Sequence, residues 1–178
     1  EYLPREGEDL PEEKAVLMIG CYGEEADFFT LKGTVESLLA RLNLPRADYT
    51  AVSTHPSYHP GRFAVITAGK AELGSVGEIH PAVLENFGLG CRAWVARLDI
   101  AALFAARLPE GRYHALPRFP ASTRDLAVIC DDALPVAVIE KEIRTAVGGI
   151  LEQIRLFDVY RGVPVPAGKK SVAYSLVL

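Results

Sequence analysis

The sequence predicts an α+β chain built from two modules in series. Three observations lead there. The string LPEGRYHALPR at 108–118 places two prolines and a glycine between two periodic stretches, which sets the modules at residues 1–111 and 112–178. Apolar runs at 63–68 and 73–79 flank Gly69-Lys70 as the arms of an antiparallel hairpin would. Beyond the linker, one helical stretch sits among three strand-like runs, in the order β-α-β-β.

In the first module the run AVLMIGC at 15–21 has strand length. Residues 33–42 follow with Val35, Leu38, Leu39 and Leu42 at helical spacing. After the hairpin come a short helix at 81–87, a strand at 93–98 and a helix at 100–107. In the second module, 126–130 reads as a buried strand. The stretch 135–147 forms a helix with Val136, Ile139, Ile143 and Val147 on one stripe, ended by Gly148-Gly149. Strands at 153–160 and 172–178 are joined by a turn through Pro164, Pro166 and Gly168. This order is the first two-thirds of a β-α-β-β-α-β ferredoxin-like unit, so the second module is expected to be a truncated ferredoxin-like βαββ domain. In FDVYRG at 157–162, a period of two sends Phe157 and Val159 into the core and turns Asp158 and Tyr160 outward together.

Composition narrows the partners. The 178 residues are 49% hydrophobic with a net charge of −4, which argues for folded cores and against a general polyanion binder. The charge is split, however. Residues 1–111 carry 10 Lys+Arg against 16 Asp+Glu, and residues 112–178 carry 9 against 7, so a module at −6 precedes one at +2. Cys21, Cys91 and Cys130 are odd in number and widely spaced, as expected of reduced, buried thiols in a cytoplasmic protein. No apolar run approaches the roughly 20 residues of a membrane helix, which points to a soluble chain without a membrane partner.

Catalytic motifs are wanting. His55, His59 and His80 could supply three imidazoles to a metal, and a stand-alone metal-binding enzyme is the alternative reading. But Pro56 and Pro60 remove the helix that a H-x-x-x-H pair needs, so loop histidines bonded locally are expected and no metal site is assigned. The string GVPVPAGKKS departs from a phosphate-binding loop: Val163 stands for its first glycine and Lys170 for its Ser/Thr, while two prolines delete backbone donors. The carboxylate pairs Glu24-Glu25 and Asp131-Asp132 lie in turn-like sequence. No catalytic residue is assigned.

Several strings occur in register over nearly the whole chain: DFFTLKG at 27–33 with Val35-Glu36, HPGR at 59–62, GEIHP at 77–81, RFP at 118–120 with RDLA at 124–127, FDVYRG at 157–162, and GKKS at 168–171 with AYSL at 173–176. Together they resemble the beta subunit of bacterial phenylalanyl-tRNA synthetases. The resemblance implies that residues 1–111 are the later part of a domain shaped like a class II synthetase catalytic core but without its active-site motifs. There Gly61, Gly77 and Pro81 would fix turns, and Asp27 and Glu78 would serve structure. It implies that residues 112–178 are the first two-thirds of an anticodon-binding domain. By matching positions, Tyr160 stacks on an anticodon base, Asp158 accepts from a guanine edge, and Ala127 and Ser171 border the site. Arg124, Arg155, Arg161, Lys169 and Lys170 are candidates for phosphate contacts. The partners so implied are tRNA(Phe) and an alpha subunit in an (αβ)2 heterotetramer of the cytoplasm. No cofactor belongs to this chain, and ATP and magnesium act elsewhere in the holoenzyme.

Overall fold

A computed structural model describes residues 1–5, 7, 9–109 and 120–178. The chain divides into two compact units, Glu1–Tyr113 and His114–Leu178. Most of the linker at 108–118 lies outside the described residues.

In the first unit, β1 (Tyr2–Leu3) and β2 (Glu12–Glu13) form a small ladder. The main sheet combines β3 (Val16–Tyr22), β4 (Asp48–Ala51), β5 (Tyr58–Ala68), β6 (Ala71–Ile79) and β7 (Ala93–Asp99) in the order β3-β7-β6-β5-β4, antiparallel throughout. The expected hairpin is β5-β6, with Ala68 opposite Ala71. Helix α1 (Phe28–Arg41) starts five residues before the predicted 33–42, because Asp27 accepts from Thr30 N at 2.6 Å and from Thr30 Oγ1 at 2.8 Å and so caps it. Its Leu31, Val35 and Leu39 join Ile66, Leu73, Val76, Trp94, Ala96 and Leu98 in the core. Two short helices, α2 (Pro81–Asn86) and α3 (Ile100–Ala105), complete the unit. Strand β4 was not foreseen.

Gly77 corrects an expectation. It fixes no turn but lies within β6, where a Cβ would stand 2.7 Å from Arg62 O and 2.9 Å from the Phe63 ring, so its role is close strand approach. Next to it Glu78, 3% exposed, receives Arg62 Nη1 at 2.7 Å and both Nε and Nη2 of Arg92 at 2.8 and 2.7 Å. The paired donation from Arg92, joined by Arg62, outweighs burial and lowers the Glu78 carboxyl to about 2.

The second unit contains β8 (Thr123–Asp131), α4 (Val136–Val147), a 3-10 turn at Gly148–Ile150, β9 (Gln153–Tyr160) and β10 (Lys169–Val177). The sheet order is β8-β10-β9, with β10 antiparallel to both neighbours. β8 and β9 therefore run parallel, joined by α4 and split by β10, which is the ferredoxin-like arrangement. The predicted stripe packs as expected: Ile139 and Ile143 are buried against Cys130, Val172, Tyr174 and Leu176, with Val136 and Val147 beside them. Each such buried apolar side chain stabilises the unit by roughly 1.5–3 kcal/mol. Tyr174 is wholly buried, and its hydroxyl donates to Val136 O at 3.3 Å.

One strand departs from simple alternation. Between Asp158, opposite Ala173, and Leu156, opposite Tyr174, β9 spends two residues against one step of β10, leaving Phe157 as the extra residue of a bulge. Val159 packs on the core, but Phe157 is 52% exposed rather than buried as expected. The bulge lets Ile154 and Val159, five residues apart, share the helix-side core while Asp158 and Tyr160 still turn outward.

The thiols are free, as expected, but Cys91 is exposed, Cys21 half-buried and only Cys130 buried. Among the described residues no helix is long and apolar enough to cross a membrane.

Candidate nucleic-acid interface

Helix α4 covers one face of the second sheet, and among the described residues of this unit no helix packs on the other, open face. Register assigns the side chains. Val172, Tyr174 and Leu176 of β10 are buried toward α4, so Lys169, Ser171, Ala173, Ser175 and Val177 point the other way. Their partners on β8 are Asp131, Ile129, Ala127, Asp125 and Thr123. On β9 they include Tyr160 opposite Ser171, Asp158 opposite Ala173 and Arg155 opposite Ser175. Ala127, Ala173 and Asp158 thus form one row across three strands, with Ile129, Ser171 and Tyr160 in the next.

The four residues proposed to border the anticodon site, Ala127, Asp158, Tyr160 and Ser171, are brought together on this face. Small side chains at Ala127, Ala173 and Ser171 keep its centre low. Tyr160 and Asp158 stand along one edge. Tyr160 is 45% exposed, and its hydroxyl donates to Val163 O at 2.8 Å, which holds the ring over the following turn. Gly162, at φ +124°, makes room for it, since a Cβ there would lie 3.2 Å from Tyr160 Oη. The hydroxyl end is thus held, while nearly half of the side chain stays accessible.

The five cations separate. Arg155 lies on the open face, two residues before the bulge. Lys169 lies on it too, paired with Asp131 at 2.8 Å, which raises the Lys169 ammonium and lowers the Asp131 carboxyl. Arg161 follows Tyr160 and donates to Asp132 at 2.7 Å. Arg124, opposite Leu176, belongs to the helix-side face. Lys170 does not suit the expected phosphate contact: it is 6% exposed, faces the α4 side opposite Cys130, and donates to Asp132 O at 2.7 Å. Its role is to tie β10 to the turn after β8.

Sequence reasoning missed Phe157 as a surface aromatic. It also missed a cleft of about 410 Å³ on the open face, lined by Asp125, Gln153, Arg155, Phe157, Ser175 and Val177. The signal was present in the apolar pattern, because Ile154, Leu156 and Val159 cannot share a face without an inserted residue.

The three histidines of the alternative reading do not converge. His55, His59 and His80 each accept, through Nδ1, the backbone N–H two residues on, at 3.2, 3.3 and 3.2 Å, and His80 thereby caps α2. Among the described residues no group of three His, Cys, Asp or Glu side chains could hold a metal ion.

Comparison with known proteins agrees with both units. Residues 1–100 match the family described as the phenylalanyl tRNA synthetase beta chain CLM domain, and residues 117–178 match the ferredoxin-fold anticodon binding domain. The phenylalanine–tRNA ligase beta subunit of Clostridium tetani is 46% identical over 177 residues, covering 99% of this chain and 22% of the relative. That of Symbiobacterium thermophilum is 46% identical over 187 residues, covering 99% and 21%, and that of Moorella thermoacetica 48% over 153, covering 86% and 19%. The chain spans about a fifth of the length of these relatives. With both units matched in order, the chain belongs to the phenylalanyl-tRNA synthetase beta-chain family and ends in an anticodon-binding fold.

Proposed function

We propose that this chain is the non-catalytic, tRNA-holding portion of a phenylalanine–tRNA ligase beta subunit, reading the anticodon of tRNA(Phe) through the open face of its second unit. The observation that supports this most is the row of Asp158 and Tyr160 beside the low floor of Ala127, Ala173 and Ser171. Single-stranded loops are read by stacking unpaired bases on aromatic rings and bonding their edges. Tyr160 supplies the ring, and the Asp158 carboxylate accepts from the N–H groups of a guanine edge. Arg155, Arg161 and Lys169 flank the phosphates. Residues 1–111 form the catalytic-like module that docks on the alpha subunit in a cytoplasmic (αβ)2 heterotetramer. ATP and magnesium serve the holoenzyme at sites outside this chain.

The test uses the intact ligase and an anticodon stem-loop in which the guanine is replaced by inosine, which lacks the exocyclic amine. A hydrogen bond to a charged group contributes about 1.5–3 kcal/mol, so inosine should weaken binding by about tenfold or more. In Asp158→Asn that penalty should shrink. An equal penalty in both proteins would refute the role of Asp158.

A further inference from the structure

We infer that the open face carries a second nucleotide site, next to the one at Tyr160, in which the bulged Phe157 stacks on the neighbouring base of the same single strand. The inference rests on the anticodon-reading proposal and extends it by one base.

Four observations carry it. First, the register slip between Asp158 and Leu156 moves Phe157 from the buried face to the open one, where it is 52% exposed. A bulge that re-aims a side chain is a device found beside functional sites, and an aromatic placed outward this way forgoes the core it could have filled. Second, Phe157 lines the cleft shared with Asp125, Gln153, Arg155, Ser175 and Val177, so a concave seat of about 410 Å³ adjoins the ring. Third, the residues on this face are ordered along β9 as Tyr160, Asp158, Phe157, Arg155 and Gln153, which places two rings and a guanidinium on one line. At roughly 3.3 Å per strand residue the two rings lie within about 10 Å along the strand, within reach of neighbouring bases. Antiparallel sheets that bind RNA hold two or three bases on surface aromatics in this manner. Fourth, charge fixes polarity across the cleft. Arg155 stands on the edge strand β9 and Asp125 on β8, both beside Ser175. A phosphodiester therefore tracks the β9 side, and the base points across Ser175, where Asp125 accepts from an exocyclic amine and Gln153 can donate or accept.

The occupant is thus a nucleotide adjacent in sequence to the base on Tyr160, with its backbone continuing toward Arg155. Apolar peptide is disfavoured, because the cleft sets an Arg, an Asp and a Gln around one ring.

The experiment uses the intact ligase and tRNA anticodon stem-loops carrying 2-aminopurine at one loop position at a time, whose fluorescence is quenched by stacking. Phe157→Ala should weaken binding roughly tenfold or more and relieve quenching at one position, while Tyr160→Ala relieves it at the neighbouring position. Phe157→Trp should restore both affinity and quenching, which a loss of fold in Phe157→Ala could not mimic. Should Phe157→Ala fail to fold, an unaltered fluorescence pattern in Phe157→Lys would by itself overturn the site. Wild-type affinity and quenching in Phe157→Ala, with Tyr160→Ala impaired, would sink this inference and leave the anticodon reading standing. Wild-type binding in both variants would sink the two together.

Discussion

Glu78 shows how one buried carboxylate can be made structural rather than reactive. It accepts three hydrogen bonds from Arg62 and Arg92, and Arg92 also lies 5.1 Å from the centroid of Trp94. Its folded carboxyl titrates at about 2 against an ordinary 4.5, so the stabilisation is complete above pH 4.5 and fades as pH falls toward 2. Because both arginines are about half exposed, that shift corresponds to about 1–3 kcal/mol. Glu78→Gln should lower the denaturant midpoint of the first unit at pH 7, and the gap from wild type should close as pH approaches 2. Trp94 is the chain's single tryptophan and its fluorescence follows this unit. A gap independent of pH would contradict the assignment. At this scale the sequence was legible where a strand's alternation suffices, as in the outward turn of Asp158 and Tyr160. It was illegible where burial decides: nothing local in GKKS says that Lys169 faces out and Lys170 faces in, because that depends on pairing with β8, some 40 residues away.

Elements were legible where periodicity is strong, as in α4 and the β5-β6 hairpin. They were less so where one contact sets a boundary. Helix α1 begins at Phe28 because Asp27 holds Thr30 N, and that capping signal lies ahead of the apolar stripe. Asp27→Ala should destabilise the first unit by about 1 kcal/mol, and Asp27→Ser should recover most of it. Thermal melting followed at Trp94, whose Nε1 donates to Ala26 O beside the cap, measures both. Strand β4 escaped notice because only four residues pair, on a sheet edge, with one half-buried side chain among them. The bulge in β9 was harder to place for a different reason: a period of two fits either half of 153–160, and although Ile154, Leu156 and Val159 signal that the halves are out of phase, only the ladder with β10 fixes where the extra residue sits.

For the whole molecule, a net charge of −4 conceals the +2 of residues 112–178, and the cations of the open face are partly paired with Asp131 and Asp132. Lys169→Gln in the intact ligase should reduce the slope of log affinity against log salt by about 0.7, the value for one phosphate contact on a single strand. Lys170→Gln should leave the slope unchanged and lower stability instead, since its ammonium holds Asp132 O. Binding titrations from low to moderate salt separate the two, and a slope change at Lys170 rather than Lys169 would reverse the assignment of faces. The central claim is that the half-exposed ring of Tyr160 holds an anticodon base, and the dissociation constant of an anticodon stem-loop for intact ligase carrying Tyr160→Ala tests it most directly. Loss of one stacking platform, about 1–3 kcal/mol, predicts weakening of roughly tenfold or more with the fold retained. An unchanged constant would contradict the account.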